Sequence, residues 1–225
     1  MTLGSPRPHR FGVPGPVTPR PYPRGVAVIA HLPAVGSPAP PPYGLDIETD
    51  TSVNGLDPRL SRVTAIGVAG DGWRRAFTGT EAEVLTSTDR FLAELEPGLL
   101  VTWNGAAFDL PFLADRALVA GVRLGLRVRP DGDLIAPRSP LPGHSAAYRG
   151  GWWGHGHTDA YRELRRVAHG FGLSAGLKPF ARLHGIDCVE EDRTDLHSLD
   201  DERIGTYVAS DAAATRSLAL LYRVA

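Results

Sequence analysis

The segment Leu45-Asp46-Ile47-Glu48-Thr49 is a short apolar run that carries two carboxylates two residues apart. Alternate residues of a β-strand point to the same face, so the spacing predicts that Asp46 and Glu48 project side by side. Two carboxylates about 6–7 Å apart on one strand face repel each other unless a cation lies between them. A divalent metal with oxygen ligands would meet that need. An exposed acidic strand end is the alternative, and these five residues do not distinguish the two.

Regular patterns extend along the chain from residue 43 onward. The predicted strands are 43–49, 62–69, 73–77, 99–103 and 123–128. The predicted helices are 80–96, 110–120, 158–169, 176–184 and 199–223. Proline and glycine interrupt this pattern over 129–157, which predicts a long loop. A three-stranded meander followed by alternating helices and strands predicts a mixed sheet with helices packed on it.

Composition and charge limit the classes of protein to consider. With 225 residues, 42% of them hydrophobic, the chain is expected to form one folded domain at 43–225 with an appendage at 1–42. The net charge of −1 excludes a globally basic nucleic-acid-binding protein but permits a local basic groove. Because Cys188 is the only cysteine, an intrachain disulfide and a cysteine zinc cluster are excluded. Without a membrane-length apolar run or a signal peptide, a cytoplasmic protein is expected.

The first 42 residues are rich in proline, which disfavours both helix and sheet. They are predicted to form a tail that is partly extended or disordered, with one apolar stretch at 25–30 that could be a strand. The arginines that precede the first acidic residue are Arg7, Arg10, Arg20 and Arg24. Such a basic arm could contact nucleic acid, and a solvated tail without a specific partner is the alternative.

Two further carboxylates, those of Asp109 and Asp211, lie at positions typical of a functional site. Asp109 follows a predicted strand and a glycine-containing turn, at the start of a predicted helix. Helix N-capping is the alternative interpretation of Asp109. Tyr207 and Asp211 are four residues apart, so they share one face of the last predicted helix. Small apolar residues surround Asp211, and an unpaired carboxylate buried among them would be costly. A single metal centre would account for all four acids.

Three segments together resemble the exonuclease motifs of the DEDD superfamily of 3′–5′ exonucleases. They are Asp46-Ile47-Glu48, Asn104…Phe108-Asp109 and Tyr207…Asp211. The tyrosine four residues before the last aspartate is similar to the tyrosine (DEDDy) subclass. The resemblance covers about 43–224, and the segment from His157 to Asp187 also resembles the proofreading domains of family B DNA polymerases and their stand-alone relatives. Because the chain ends soon after the third motif, an attached polymerase domain is not expected.

The resemblance implies an α/β, ribonuclease H-like fold with a mixed five- to six-stranded sheet and helices on both faces. It also implies hydrolysis of phosphodiester bonds at the 3′ end of DNA or RNA with two Mg²⁺ or Mn²⁺ ions, releasing nucleoside monophosphates. In that mechanism Asp46 would bridge the two ions. Glu48 and Asp211 would complete the coordination of one ion, and Asp109 would hold the other ion through water. The resemblance also implies that Tyr207 would form a hydrogen bond with the attacking water and orient it. Because its ordinary pKa near 10 makes it a poor base at neutral pH, the metal would have to promote deprotonation of that water.

The expected substrates are single-stranded or frayed 3′ ends of DNA or RNA. Thr49 and Asn104 are expected to contact the terminal nucleotide, and Phe108 to stack on the terminal bases, although it could also be a core residue. A protein partner could bind the proline-rich tail or the Trp152-Trp153 segment. Packing of those tryptophans on the domain itself is the alternative.

Several other sequence patterns suggest different functions. The segment 172–176 matches the G-x-S-x-G pattern of serine hydrolases with Ser174 as nucleophile, but a helix-like segment precedes it where that fold needs a strand. His144, His155 and His157 with Cys188 could suggest zinc, although their spacing fits no common zinc site. Arginines at 162, 165 and 166 could line a phosphate groove or form a solvated helix face. An accessory protein that binds nucleic acid through an inactive site is a further alternative, and the intact set of four acids and a tyrosine argues against it.

Overall fold

The computed structural model describes residues 39–134, 137–193 and 195–225. The basic, proline-rich segment at 1–38 and the strand expected at 25–30 lie outside the described residues. The tail assigned to the N-terminus therefore stays a prediction. Within the described part of the chain, no helix is long and apolar enough to cross a membrane.

The described strands are β1 Pro42–Thr49, β2 Val63–Gly70, β3 Trp73–Thr78, β4 Leu99–Thr102, β5 Leu126–Pro130, β6 Tyr148–Trp152 and β7 Gly156–Asp159. The described helices are α1 Glu81–Glu94, α2 Asp109–Val119, α3 Ala160–Gly170, α4 Leu177–Leu183 and α5 Asp201–Leu221, with a 3₁₀ turn at Leu196–Ser198. Five strands form one sheet in the order β3-β2-β1-β4-β7. The β1–β2 and β2–β3 pairs are antiparallel, whereas β1–β4 and β4–β7 are parallel. The predicted mixed α/β sheet is therefore confirmed.

The two faces of β1 have different environments, as the alternation in its sequence predicts. Leu45 and Ile47 are buried in a core cluster that includes side chains of α1 and α2. Asp46 and Glu48 project from the opposite face, against which α5 packs. The predicted layers of helices on both faces are thus present, and the acidic face of β1 lies under the last helix.

Two glycines allow α5 to approach the sheet closely. A Cβ atom on Gly44 of β1 would lie 1.9 Å from the carbonyl oxygen of Ala212. A Cβ on Gly67 of β2 would lie 2.4 Å from the carbonyl oxygen of Val208. Neither distance is compatible with a side chain, so the backbone of α5 rests directly on β1 and β2. This contact brings the third motif over the first.

The prediction of a long loop over 129–157 was wrong in part, because strands occupy both ends of this segment, whereas its described residues between 131 and 147 belong to neither a helix nor a strand. This segment contains β6 and part of β7, and β6 pairs with β5 in an antiparallel hairpin. Glycine at 150 packs closely on α2, because a Cβ there would lie 2.5 Å from a methyl carbon of Leu110 and would force that side chain to shift. A strand that needs glycine for packing lacks the β-branched pattern by which strands are recognised. For the same region, the helix predicted from residue 158 begins only at Ala160, after β7.

Candidate active site

Three carboxylates from two elements meet beside the sheet. Asp46 and Glu48 on β1 and Asp211 on α5 each offer an oxygen, and these oxygens all lie within 4.8 Å of one another. Within the described part of the chain, this is the only group of three or more metal-ligating side chains that is close enough to share an ion. The predicted acidic strand face is therefore not an exposed strand end.

The fourth predicted acid, Asp109, lies close to this group without being part of it. It is the first residue of α2, it is 3% exposed, and its charge raises the pKa of Asp46. The residue at the N-cap position is Phe108, and its side chain caps no backbone group. The N-cap interpretation of Asp109 was therefore wrong.

Burial and mutual repulsion make these carboxyls hold protons strongly. Burial raises the pKa of Asp46 well above its ordinary value, and the charges of Glu48, Asp109 and Asp211 raise it further. Burial and Asp211 raise the pKa of Glu48 to about 8, and burial raises the pKa of Asp109 to about 7. The pKa of Asp211 rises to about 6, chiefly through burial and against the opposing effect of Lys178. A cation among these groups would displace protons near neutral pH.

Lys178 on α4 provides a buried positive charge that the sequence motifs did not assign to the site. Its ammonium nitrogen lies 3.3 Å from Oδ1 of Asp211 and 3.7 Å from the centroid of the Tyr207 ring. It also donates a hydrogen bond to the backbone carbonyl of Val189. The one available signal was its rarity, since it is the only lysine in a chain rich in arginine.

Tyr207 is almost fully buried, and its surroundings keep the hydroxyl protonated. Burial raises the pKa of Tyr207 above its ordinary value, and the negative charges of Glu48 and Asp211 raise it further. The side chain of Arg193 forms a hydrogen bond with Tyr207 and attracts the same two carboxylates. Arg193 was also missed, because it lies in a segment without a recognisable motif. The hydroxyl of Tyr207 is therefore protonated and can donate a hydrogen bond at neutral pH.

All of the residues predicted for the site line one cleft of about 490 Å³. They are Asp46, Glu48, Thr49, Asn104, Phe108, Asp109, Tyr207 and Asp211. The hydroxyl of Thr49 donates to the carbonyl of Gly55 at 2.7 Å, so its proton is engaged within the protein. Phe108 is partly buried against the core and packs on Phe112, so it has both a core contact and a surface in the cleft.

Comparison with known proteins gives this cleft a family context. Residues 59–129 match the sequence model of a family described as predicted 3′–5′ exonucleases related to the exonuclease domain of PolB. The resemblance to PolB exonuclease domains is confirmed. The matched region contains the second motif with Asn104, Phe108 and Asp109, whereas the first and third motifs lie outside it.

Two relatives are similar over larger parts of the chain. A catalytic subunit of DNA polymerase epsilon from Arabidopsis thaliana is 28% identical over 148 residues, which are 63% of this chain and 6% of that protein. The structure of the family B DNA polymerase from the hyperthermophilic archaeon Pyrobaculum calidifontis superposes with a TM-score of 0.61 and 22% identity, covering 83% of this chain and 25% of the polymerase. The chain thus spans only a small part of each relative. This likeness shows the fold, which is ribonuclease H-like.

A buried aspartate supports the turn of the second motif in this PolB-like fold. Asp159, at the end of β7, accepts hydrogen bonds from the backbone amides of Asn104 at 2.8 Å, Ala106 at 3.1 Å and Tyr161 at 3.1 Å. Asn104 itself has a positive φ of 73°. The role of Asp159 was not predicted, because its partners in the second motif lie more than 50 residues away. Arg162 lies 3.6 Å from the same carboxylate, so it is not simply a solvated helix residue.

The competing patterns do not form sites of their own. Ser174 follows helix α3 rather than a strand, so the serine hydrolase alternative lacks its structural requirement. The three histidines have separate partners: His144 contacts Asp115 and Tyr148, His155 the backbone at 92 and 98, and His157 Thr102.

The two tryptophans that could have formed a partner-binding segment contact the domain itself. Trp152 is fully buried, and its indole nitrogen donates to Asp89 at 2.7 Å. Trp153 is about half exposed, and its nitrogen donates to the backbone carbonyl of the same aspartate at 3.0 Å. For Trp152 the alternative interpretation, packing on the domain itself, is therefore confirmed, because its side chain is not accessible to a partner.

Proposed function

We propose that this protein is a metal-dependent 3′–5′ exonuclease that hydrolyses phosphodiester bonds at the 3′ end of DNA or RNA and releases nucleoside monophosphates. The observation that supports this most is the convergence of three carboxylates, those of Asp46, Glu48 and the buried Asp211, beside Tyr207 in the cleft. The similarity to PolB exonuclease domains is consistent with the same activity. We also propose that residues 43–225 form a single exonuclease domain and that 1–42 form its N-terminal tail.

The carboxylates fit a divalent cation. Oδ1 of Asp211 is buried and has no hydrogen-bond partner of good geometry, although Lys178 lies 3.3 Å away. An acceptor set made only of carboxylate oxygens suits Mg²⁺ or Mn²⁺. We propose that Asp46, Glu48 and Asp211 would hold one ion, and that Asp46 and Asp109 would hold a second. Metal ions held by these residues would lower the pKa of an attacking water and neutralise charge on a leaving 3′ oxygen.

The remaining residues would orient the reactants. The protonated hydroxyl of Tyr207, held by Arg193, would form a hydrogen bond with the attacking water. Lys178 lowers the pKa of Asp211 and so favours its ionised, ligating form. The Tyr207 ring rests on the same ammonium group, which restricts its position.

We propose single-stranded or frayed 3′ ends as the substrate. The ring of Phe108 at the cleft would stack on the terminal bases, which tolerates any base sequence. Asn104 would contact the terminal nucleotide through its side-chain amide. Thr49 would contact it by accepting a hydrogen bond at its hydroxyl oxygen, because the hydroxyl proton is donated to the carbonyl of Gly55.

The test uses 5′-labelled single-stranded DNA and RNA with Mg²⁺ or with a chelator. We expect a ladder that shortens from the 3′ end only in the presence of metal. Asp46→Ala should abolish cleavage while the circular dichroism spectrum stays unchanged. Asp71→Ala is the matched control, because Asp71 is an exposed acid in the β2–β3 turn. Internal cuts would indicate an endonuclease, and binding without any cleavage would support an accessory protein with an inactive site.

A further inference from the structure

The β5–β6 hairpin has two chemically different faces. One face packs on the domain, with Leu126 and Trp152 in the core and the glycine at 150 against Leu110. The opposite face carries only arginine and glycine: Arg127 and Arg129 on β5, and Arg149 and Gly151 on β6. All three arginines are exposed. We call Arg127, Arg129 and Arg149 the arginine face.

The strand register places like charges directly opposite each other. Arg129 pairs across the hairpin with Arg149, and Arg127 follows two residues along on the same side. Like charges in such a cross-strand pair destabilise the sheet. Asp131 forms an ion pair with Arg149 and offsets part of this repulsion. Among the residues that the structure describes, no carboxylate forms an ion pair with Arg127 or Arg129. Two guanidinium groups on this face therefore have no carboxylate counter-ion among the described residues, although that of Arg127 donates to the backbone carbonyls of Leu124 and Leu126.

One end of the arginine face adjoins the cleft. The amide of Tyr148, next to Arg149, donates to the carbonyl of Ala106 at 2.7 Å. Ala106 lies in the turn between Asn104 and Phe108, both of which line the cleft. Successive same-side residues of a strand are about 6–7 Å apart, so Arg127 extends the row of cations away from the cleft by roughly that distance.

We propose that the arginine face binds the phosphodiester backbone of the single strand whose 3′ end lies in the cleft, a few nucleotides upstream of the terminus. This proposal rests on the proposed exonuclease function. Guanidinium groups match phosphate oxygens in geometry and charge, and such contacts are independent of base sequence. Because the whole chain has a net charge of −1, binding must depend on local cationic surfaces such as this one.

The test compares substrates that do and do not reach the hairpin. The variant is Arg127→Ala with Arg129→Ala, which leaves the Arg149–Asp131 ion pair intact. The charge-matched control is Arg74→Ala with Arg90→Ala, two exposed arginines on β3, an edge strand of the five-stranded sheet, and on α1. For each protein, kcat/KM is measured on a trinucleotide, on a single-stranded 20-mer and on the same 20-mer within a duplex.

For the hairpin variant we expect the ratio of kcat/KM on the single-stranded 20-mer to that on the trinucleotide to fall by about tenfold, through KM. A plot of log kcat/KM for the 20-mer against log salt concentration should also become less steep. Loss of two single-strand phosphate contacts should reduce the magnitude of its slope by about 1.4. The control should keep both the ratio and the slope. An unchanged ratio would overturn the proposal, and a loss confined to the duplex would assign the face to the complementary strand instead.

Binding separates this proposal from the proposed function. If the wild-type protein cleaves nothing, the exonuclease proposal fails, and fluorescence anisotropy with the same labelled oligonucleotides still tests the arginine face. A selective loss of affinity for the 20-mer in the hairpin variant would support binding by this face. Equal affinities in the wild type, hairpin variant and control would overturn it. Thermal melting of each variant verifies that the hairpin substitutions leave the domain folded.

Discussion

The ammonium group of Lys178 lies 3.7 Å from the centroid of the Tyr207 ring and 3.3 Å from Oδ1 of Asp211. One buried cation thus contacts both residues of the third motif, which are one helical turn apart on α5. The contact links α4 to α5 at the point where the acids converge. Lys178 therefore compensates part of the negative charge that the cleft concentrates, and it restrains the tyrosine ring at the same time.

Replacement of Lys178 by methionine should destabilise the protein in a pH-dependent way. Loss of one partner leaves the carboxylate of Asp211 buried without its cation, which costs on the order of 3 kcal/mol at pH 8. The cost should be smaller near pH 6, where Asp211 is partly protonated because its pKa is about 6. Urea denaturation in EDTA at the two pH values measures this difference. Arg182→Met is the control, because its ion pair with Glu190 is exposed and should contribute less than about 1 kcal/mol.

Tyr207→Phe should slow turnover without disturbing the fold. The ring stays on Lys178, whereas the hydroxyl and its hydrogen bond with Arg193 are lost. We expect kcat to fall on the order of 10²-fold and KM to change little, with a loss of about 1 kcal/mol in the free energy of unfolding. Steady-state kinetics on a labelled oligonucleotide and urea denaturation provide both readouts. Unchanged kcat would remove Tyr207 from the proposed mechanism.

The metal-free protein should lose stability as the pH rises from about 6.5 to 8.5. The pKa of Glu48 is about 8 and that of Asp109 about 7 in the folded state, both above their ordinary values. The folded state therefore binds these protons more tightly than the unfolded state, and that advantage disappears as the pH passes the folded-state pKa values. Below this window His157 acts in the opposite direction, because burial lowers its pKa to about 4 and the unfolded state gains a proton as the pH falls.

Urea denaturation in EDTA across that pH window measures the slope. Saturating Mg²⁺ or Mn²⁺ should raise stability most at the alkaline end, since the ions replace protons that the carboxyls no longer hold. Glu48→Gln should flatten the slope in EDTA, because it removes the group with a pKa of about 8. Stability that rises with pH in EDTA would contradict the charge distribution described for the cleft.

Asn104 allows its backbone and side-chain roles to be separated. Its φ of 73° is unstrained for glycine but costs about 1 kcal/mol for alanine. Asn104→Gly should therefore retain stability while KM rises, if the amide contacts the terminal nucleotide. Asn104→Ala should raise KM similarly and also lower the free energy of unfolding. A glycine variant with wild-type KM would show that Asn104 serves only the turn.

Local sequence patterns were sufficient to predict much of the five-stranded sheet. Alternation in β1 and β2 located both strands to within one residue at each end, because each strand has one face against a core of apolar side chains. The strand predicted at 123–128 overlaps β5, but β6 was missed because it contains Gly150 and Gly151, and a glycine-rich strand resembles a loop in sequence. Sequence patterns also could not predict that Lys178, Arg193 and Asp159 lie at the site, since their partners are distant along the chain.

The sequence by itself determined that Asp46 and Glu48 share a strand face and that Tyr207 and Asp211 share a helix face, because the periods of strands and helices depend only on backbone geometry. Only the tertiary structure decided that these two faces meet. Glycines at 44 and 67 let α5 rest on the sheet backbone, and this close packing sets the acids within 4.8 Å of one another. Burial and proximity then raise the pKa values, and both depend on the folded arrangement.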